Sequence, residues 1–408
     1  MSPCLRLLRP TAKVSSRCGA TRRFLSVPAA ELRFGQPLHE THPHLLKAGE
    51  VTPGITALEY FERRSKLAKE LPPNSIAVLA ANDLKYASGA VFYKFHQDPD
   101  FRYLTGFLEQ DALAIIEKTD EHEHAFHLYV RPKDARREAW EGPRSGVEAA
   151  EDVFNADITG SIDDLPKILP EIVKRSKTVY TDLPQNRISK NFASRYLAAA
   201  EPARTGGIAK VFRDNEASIR PLRPLLNELR VIKSEAEIVN MRRAGQHSGR
   251  AITDAMRQSF SYEKDLDSFL DYWFKQDLCD GPAYVPVVAG GINANTIHYV
   301  SNDMALKPDE LVLVDAGASY GRVRHGTLRA RGSPGLSRSR LLEKGMVVTV
   351  EPGIYVPDDE KWPKWARGIG MRIEDSVMVD EESPYVLTTE AVKEIVDIEA
   401  LRGSETKL

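Results

Sequence analysis

Through the first half of the chain, short apolar runs at 76–81, 112–116, 126–130 and 178–180 alternate with polar, helix-compatible stretches such as 162–175. Runs of that length read as buried strands, and their alternation with helices gives an α/β layout. Thr56 followed three residues later by Glu59 has the spacing of a capping box, which predicts a helix from there to Leu71, ended by Pro72 and Pro73. Ser234 with Glu237 repeats the signal and opens a longer helix, in which Ile238, Met241, Gly245, Ile252 and Met256 share one face. Pro221, Arg223 and Pro224, just upstream, mark a domain boundary. Beyond the long helix the segments 284–288, 311–314, 347–350 and 371–379 are apolar and β-rich, and no internal repeat is visible. The pattern divides the chain into a leader at 1–30, an extended connector at 31–54 and two domains at 55–220 and 221–408.

Composition narrows the classes. The 408 residues are 42% hydrophobic with three cysteines and a net charge of −2, which excludes a disordered tail, a disulfide scaffold and a collagen-like repeat. Near-neutral charge gives no general attraction to nucleic acid, and no apolar run is long enough for a membrane span. The ends of the chain differ, however. Arg6, Arg9, Lys13, Arg17, Arg22 and Arg23 precede the first acid, Glu31, among four serines, which is the composition of a mitochondrial transit peptide. Its removal leaves 50 basic against 58 acidic residues, and Cys279 alone of the cysteines.

Three carboxylates stand out. Asp315, Glu351 and Glu374 each lie within or at the end of an apolar strand segment, where an unpaired charge is costly. Carboxylates arriving from separate strands suggest a hard, oxygen-bound divalent metal, Mn, Mg or Co, rather than thiolate-bound zinc. Three ordinary strand-end carboxylates, one of them paired with Arg372, are the plainer alternative. His298 follows the Gly290-Gly291 pair and precedes Asp315 by 17 residues, so a hairpin would bring the two together.

The segments 293–299, Asp315-Ala316-Gly317, 351–355 and Arg372-Ile373-Glu374-Asp375, with 98–107 and 229–241 upstream, closely resemble the M24 "pita-bread" metallopeptidases of the Xaa-Pro aminopeptidase (aminopeptidase P) branch, and among them its mitochondrial members. The resemblance implies an α+β protein: a small α/β, creatinase-like N-terminal domain, then a pita-bread domain with a curved antiparallel sheet. It implies a metalloaminopeptidase that removes a residue from peptide or protein N-termini, including those of imported mitochondrial proteins. The cofactor would be two divalent ions, usually manganese, with Asp315, Glu351 and Glu374 as ligands. Glu351 would also orient the attacking hydroxide, and His298 would hydrogen-bond the substrate. A homodimer is compatible with this reading. A prolidase and a non-catalytic pita-bread interaction module are the alternatives.

The chain also departs from its family. The pattern calls for a second aspartate 11 residues after Asp315, where Gly326 stands, and for a later segment carrying a histidine ligand, which is missing before Pro334-Gly335. Thr327-Leu-Arg-Ala-Arg-Gly332 is what a one-base shift of codons for the family's Asp-Ile-Thr-Arg-Thr-Trp gives, so a frameshifted or mis-spliced product is expected. His325 neighbours the lost ligand position, and strand alternation would point it to the opposite face. The expectation is an incomplete pita-bread domain with weakened metal binding, impaired activity and poor solubility.

Overall fold

The computed structural model describes residues 33–183 and 211–403, apart from 122, 177, 213, 216, 277, 322 and 325–339. The leader with Cys4 and Cys18, and the positions His325, Gly326 and 327–332, lie outside the described residues.

Helix α1 (Ala57–Glu70) starts where the sequence places it: the Thr56 hydroxyl accepts a bond from the Glu59 backbone N–H, and the helix gives way to extended backbone at Leu71. The Glu59 side chain does not close the box. It pairs instead with Arg63 at 2.6 Å and accepts the Ser234 hydroxyl at 2.7 Å, tying the two domains. After strand β1 (Ser75–Ala80) and helix α2 (Pro99–Thr105) come strands β2 (Leu113–Lys118), β3 (His124–Val130) and β4 (Ile158–Ser161), helix α3 (Leu165–Arg175) and strands β5 (Thr178–Tyr180) and β6 (Ser218–Arg220). These six strands form one mixed sheet in the order β6-β5-β1-β2-β3-β4. Alternation along β1 feeds both faces. Ala77 and Leu79 join Leu67, Leu104 and Phe126 on one side, while Ile76 and Val78 join Leu165, Leu169 and Ile172 on the other. Before α1 the chain packs against the rest, with Leu38, Leu46 and Val51 buried.

Helix α4 (Arg223–Val231) also belongs to the first core, through buried Leu226. The Tyr103 hydroxyl donates to the Leu229 carbonyl at 3.1 Å, and Arg230 pairs with Asp100. Helix α5 (Glu235–Met256) opens on a complete Ser234–Glu237 capping box and packs on helix α6 (Glu263–Gln276) through Ala251, Ala255, Leu266 and Leu270. Strands β7 (Val287–Gly290), β8 (Val312–Asp315), β9 (Val347–Val350), β10 (Gly353–Tyr355), β11 (Gly370–Arg372) and β12 (Asp375–Met378) follow. All described strand pairings in this half are antiparallel, in four separate sheets of two or three strands. The whole is α+β, without a closed barrel. No described helix is long and apolar enough to cross a membrane.

Two strands differ from expectation. The run expected at 284–288 pairs only from Val287, because Pro286 has no N–H to give to a ladder and Tyr284 is drawn to a carboxylate. The run expected at 371–379 is broken at Ile373-Glu374. There the chain changes partner, from β10 to β9, across a gap that contains Pro352.

Candidate functional site

The β7–β8 hairpin pairs Val287 with Asp315, so it ends with Asp315 at one face of the second domain. The paired ladders place the other two carboxylates. Val350 stands opposite Asp375 and Gly353 opposite Arg372, which sets Glu351-Pro352 beside Ile373-Glu374 at the junction between the ladders. The Ile373 N–H donates to the Pro352 carbonyl at 3.2 Å across that junction.

Arg372 connects the parts. One guanidinium nitrogen donates to Asp315 Oδ2 at 2.6 Å and the other to the Tyr355 hydroxyl at 2.7 Å. Its side chain is only 5% exposed, so it neutralises Asp315 away from bulk water. The Tyr284 hydroxyl donates to Asp315 Oδ1 at 2.5 Å, and both carboxylate oxygens thereby have donors. Burial and the neighbouring Asp315 charge hold the Tyr284 phenol well above its usual range. Glu351 is exposed and accepts the Thr349 hydroxyl at 2.7 Å. Burial, then the charges of Asp315 and Glu351, push the Glu374 carboxyl up to about 7, against the opposing pull of Arg372. Glu374 therefore stands within electrostatic reach of both other carboxylates.

His298 lies exposed in the loop between β7 and β8. A 3-10 turn, Gly291–Asn295, precedes it and packs on β11: a Cβ on Gly370 would lie 2.4 Å from the Ala294 carbonyl oxygen. The sequence pointed to Asp315, Glu351, Glu374 and His298, and to Arg372 as a partner of one of the carboxylates. It did not point to Tyr284 or to Tyr355, although Tyr355 closes the 351–355 motif.

The donors present are carboxylate oxygens, the chemistry a hard divalent ion takes. Against that, among the described residues no three His, Cys, Asp or Glu side chains stand close enough together to hold an ion. As arranged, the described residues do not fit a metal ion: both oxygens of Asp315 are already taken, by the Tyr284 hydroxyl and by Arg372.

Residues 60–180 match the aminopeptidase P N-terminal domain, and residues 239–329 and 324–381 match metallopeptidase family M24. Intermediate cleaving peptidase 55 of Saccharomyces cerevisiae is 37% identical over 92% of this chain and 90% of its own length. The chain belongs to metallopeptidase family M24. Human Xaa-Pro aminopeptidase 3 is 30% identical over 93% of this chain and 94% of its own. Among solved structures, yeast Icp55 superposes with a TM-score of 0.77 at 34% identity, covering 88% of this chain and all of its own. Aminopeptidase P from E. coli with the inhibitor Pro-Leu gives 0.76 at 25% identity, covering 86% and 99%. M24 membership makes this chain a peptidase by descent and implies divalent metal as cofactor.

Proposed function

We propose that this chain derives from a mitochondrial Xaa-Pro-type metalloaminopeptidase, one that removes an N-terminal residue from imported proteins, and that its own centre is incomplete and its activity impaired. The placement of Glu374 within electrostatic reach of Asp315 and Glu351, with Asp315 held by buried Arg372, carries the reading. The relatives support the address and the reaction class: one from Arabidopsis thaliana is named mitochondrial, and several are named Xaa-Pro aminopeptidases. The acid-free leader agrees.

Two features support impairment. The M24 match comes in two pieces that overlap at 324–329, and by resemblance Gly326 in that stretch stands where the family has its second aspartate. The alignment to the yeast relative also runs over 463 positions although the chain has 408 residues, so the relative has residues that this chain lacks. By resemblance, Asp315, Glu351 and Glu374 are the residues that would have to close on a divalent ion, manganese in the family, which would supply Lewis-acid polarisation and an activated water; in the arrangement described they do not stand close enough to do so. The chain's own contributions are separable from the ion. Arg372 and Tyr284 fix the Asp315 carboxylate, Glu351 faces solvent with the Thr349 hydroxyl bonded to it, and His298 offers a hydrogen bond at the loop surface. Losing ligands weakens metal binding by more than the roughly 10 to 100-fold that outer partners contribute.

The experiment compares the full chain with one in which the family's missing segment is restored, each with Mn²⁺, on Xaa-Pro-Xaa peptides and on Xaa-Pro dipeptides. Release of the first residue from the longer peptides, weak in the native chain and strong in the restored one, is expected. Cleavage confined to dipeptides identifies a prolidase, and no turnover after restoration contradicts the reading.

A further inference from the structure

Glu263, the first residue of α6, has no exposed surface, yet no cation is paired with it among the described residues. Its carboxylate is satisfied by hydrogen bonds from one loop. Oε1 accepts the Gly290 N–H at 2.8 Å and the Asn293 side-chain amide at 3.0 Å, and Oε2 accepts the Tyr299 hydroxyl at 2.8 Å and the Met304 N–H at 3.0 Å. Burial pushes this carboxyl up, but the four donors outweigh it and hold it below its usual value. The Tyr299 phenol is correspondingly pushed up to about 12, by desolvation and by the same carboxylate.

The four donors run from the start of the loop between β7 and β8 to Met304, with His298 inside the bracket. The Glu263 backbone adds a fifth bond, its N–H donating to the Met304 carbonyl at 2.9 Å. On its far side the loop is clamped by Asn302, which accepts from the Val288 N–H at 3.1 Å and donates to the Pro286 carbonyl at 3.0 Å. The Asn295 amide reaches the Val356 carbonyl at 3.2 Å, and the Gly291–Asn295 turn lies against β11, which carries Arg372. A carboxylate buried without a countercharge is expensive unless its hydrogen bonds are complete. Its energy therefore depends on this loop keeping this one shape.

We propose that Glu263 is a positioning residue: it sets the conformation of the 290–304 loop, and so fixes where His298 is presented relative to the strand that carries Arg372. A Glu263→Gln amide puts an NH₂ group among the donors and can accept at one oxygen only; the Tyr299 hydroxyl or the Asn293 amide can turn to accept from that NH₂, but the backbone N–H beside it, Gly290 or Met304, loses its acceptor. The inference deepens the peptidase reading, since the importance of His298 rests on that reading, but its structural half is tested without activity.

The test uses the full chain, wild type, Glu263→Gln and Tyr299→Phe, with backbone amide exchange and the His298 ring resonances followed by NMR. In Glu263→Gln the Gly290 or the Met304 amide should exchange on the order of tenfold or more faster, and the His298 signals should shift or broaden. The β2 and β3 amides should keep their protection. Tyr299→Phe, which removes one donor, should change the same segment less, and it decides the matter if Glu263→Gln does not fold. Unchanged exchange and unchanged His298 signals would overturn the proposal, as would a uniform loss of protection throughout the chain, which a general core residue would give. Binding of the dipeptide Pro-Leu is then compared. A chain with the missing family segment restored that still binds none counts against the peptidase reading while leaving the exchange result to decide the role of Glu263.

Discussion

Gly245 and Gly249 sit one turn apart on α5 against the segment that follows β12. A Cβ on Gly245 would lie 2.2 Å from the Leu387 carbonyl oxygen, and one on Gly249 would lie 2.6 Å from the Ala391 nitrogen. Helix propensity alone says that Gly245→Ala stabilises the chain by about 1 kcal/mol. The contact says the reverse. Ordinary separation would require the facing backbone to retreat by roughly 1 Å, and that backbone is anchored. Arg242 donates to the Leu387 carbonyl at 2.9 Å and pairs with Glu390, and the Thr253 hydroxyl donates to the Glu390 carbonyl at 2.9 Å. Overpacking against groups held this way costs about 1–3 kcal/mol, and because the obstacle is backbone the upper end applies, so the net effect is about 1–2 kcal/mol of destabilisation. Urea unfolding followed by circular dichroism measures it, with Gly249→Ala as the sibling. The displacement also reaches the site. The Leu387 N–H donates to the Ser376 carbonyl at 2.8 Å, two residues from Glu374. Variants as stable as wild type, or more so, would refute the packing argument.

Two further outcomes are expected. Glu117 accepts from Nε and Nη2 of Arg175, each at 2.7 Å, and lies 2.9 Å from His127. Burial pushes its carboxyl up, but these partners outweigh it and bring it down from 4.5 to about 2. A depressed carboxyl stabilises above its unfolded value and stops doing so as pH falls through its folded value. The shift corresponds to at most about 3 kcal/mol, and to less because Arg175 is half exposed; the stability gap between wild type and Glu117→Gln should shrink from pH 5 to pH 2, and a gap independent of pH would show that the carboxylate's charge is not what stabilises. Ser234→Ala removes the cap that accepts the Glu237 N–H and the bond to Glu59, and should lower the unfolding free energy by about 1–2 kcal/mol, whereas a loss under 0.3 kcal/mol would mean that water replaces both.

Legibility followed the range of the interaction. Thr56 and Ser234 announce helix starts within four residues, so α1 and α5 could be read directly. The apolar runs of β1, β2 and β3 were legible because burial on both faces leaves few alternatives. The break at Glu374 was not, since it arises from a change of strand partner and from Pro352, 22 residues upstream in sequence. The motif residues Asp315, Glu351 and Glu374 could be picked out one by one, whereas the cation that meets Asp315 comes from Arg372, 57 residues away. Glu263 gave no signal at all, because in the sequence it is one more acid in the first turn of a helix.

The central claim is that Asp315, Glu351 and Glu374 are the retained part of a cation site. Calorimetric titration of the full chain with Mn²⁺, beside Asp315→Asn and Glu374→Gln, tests it most directly. One weakly bound ion per chain in wild type, lost in both variants, is the expected result. Two ions per chain, or binding that both substitutions leave unchanged, would contradict it.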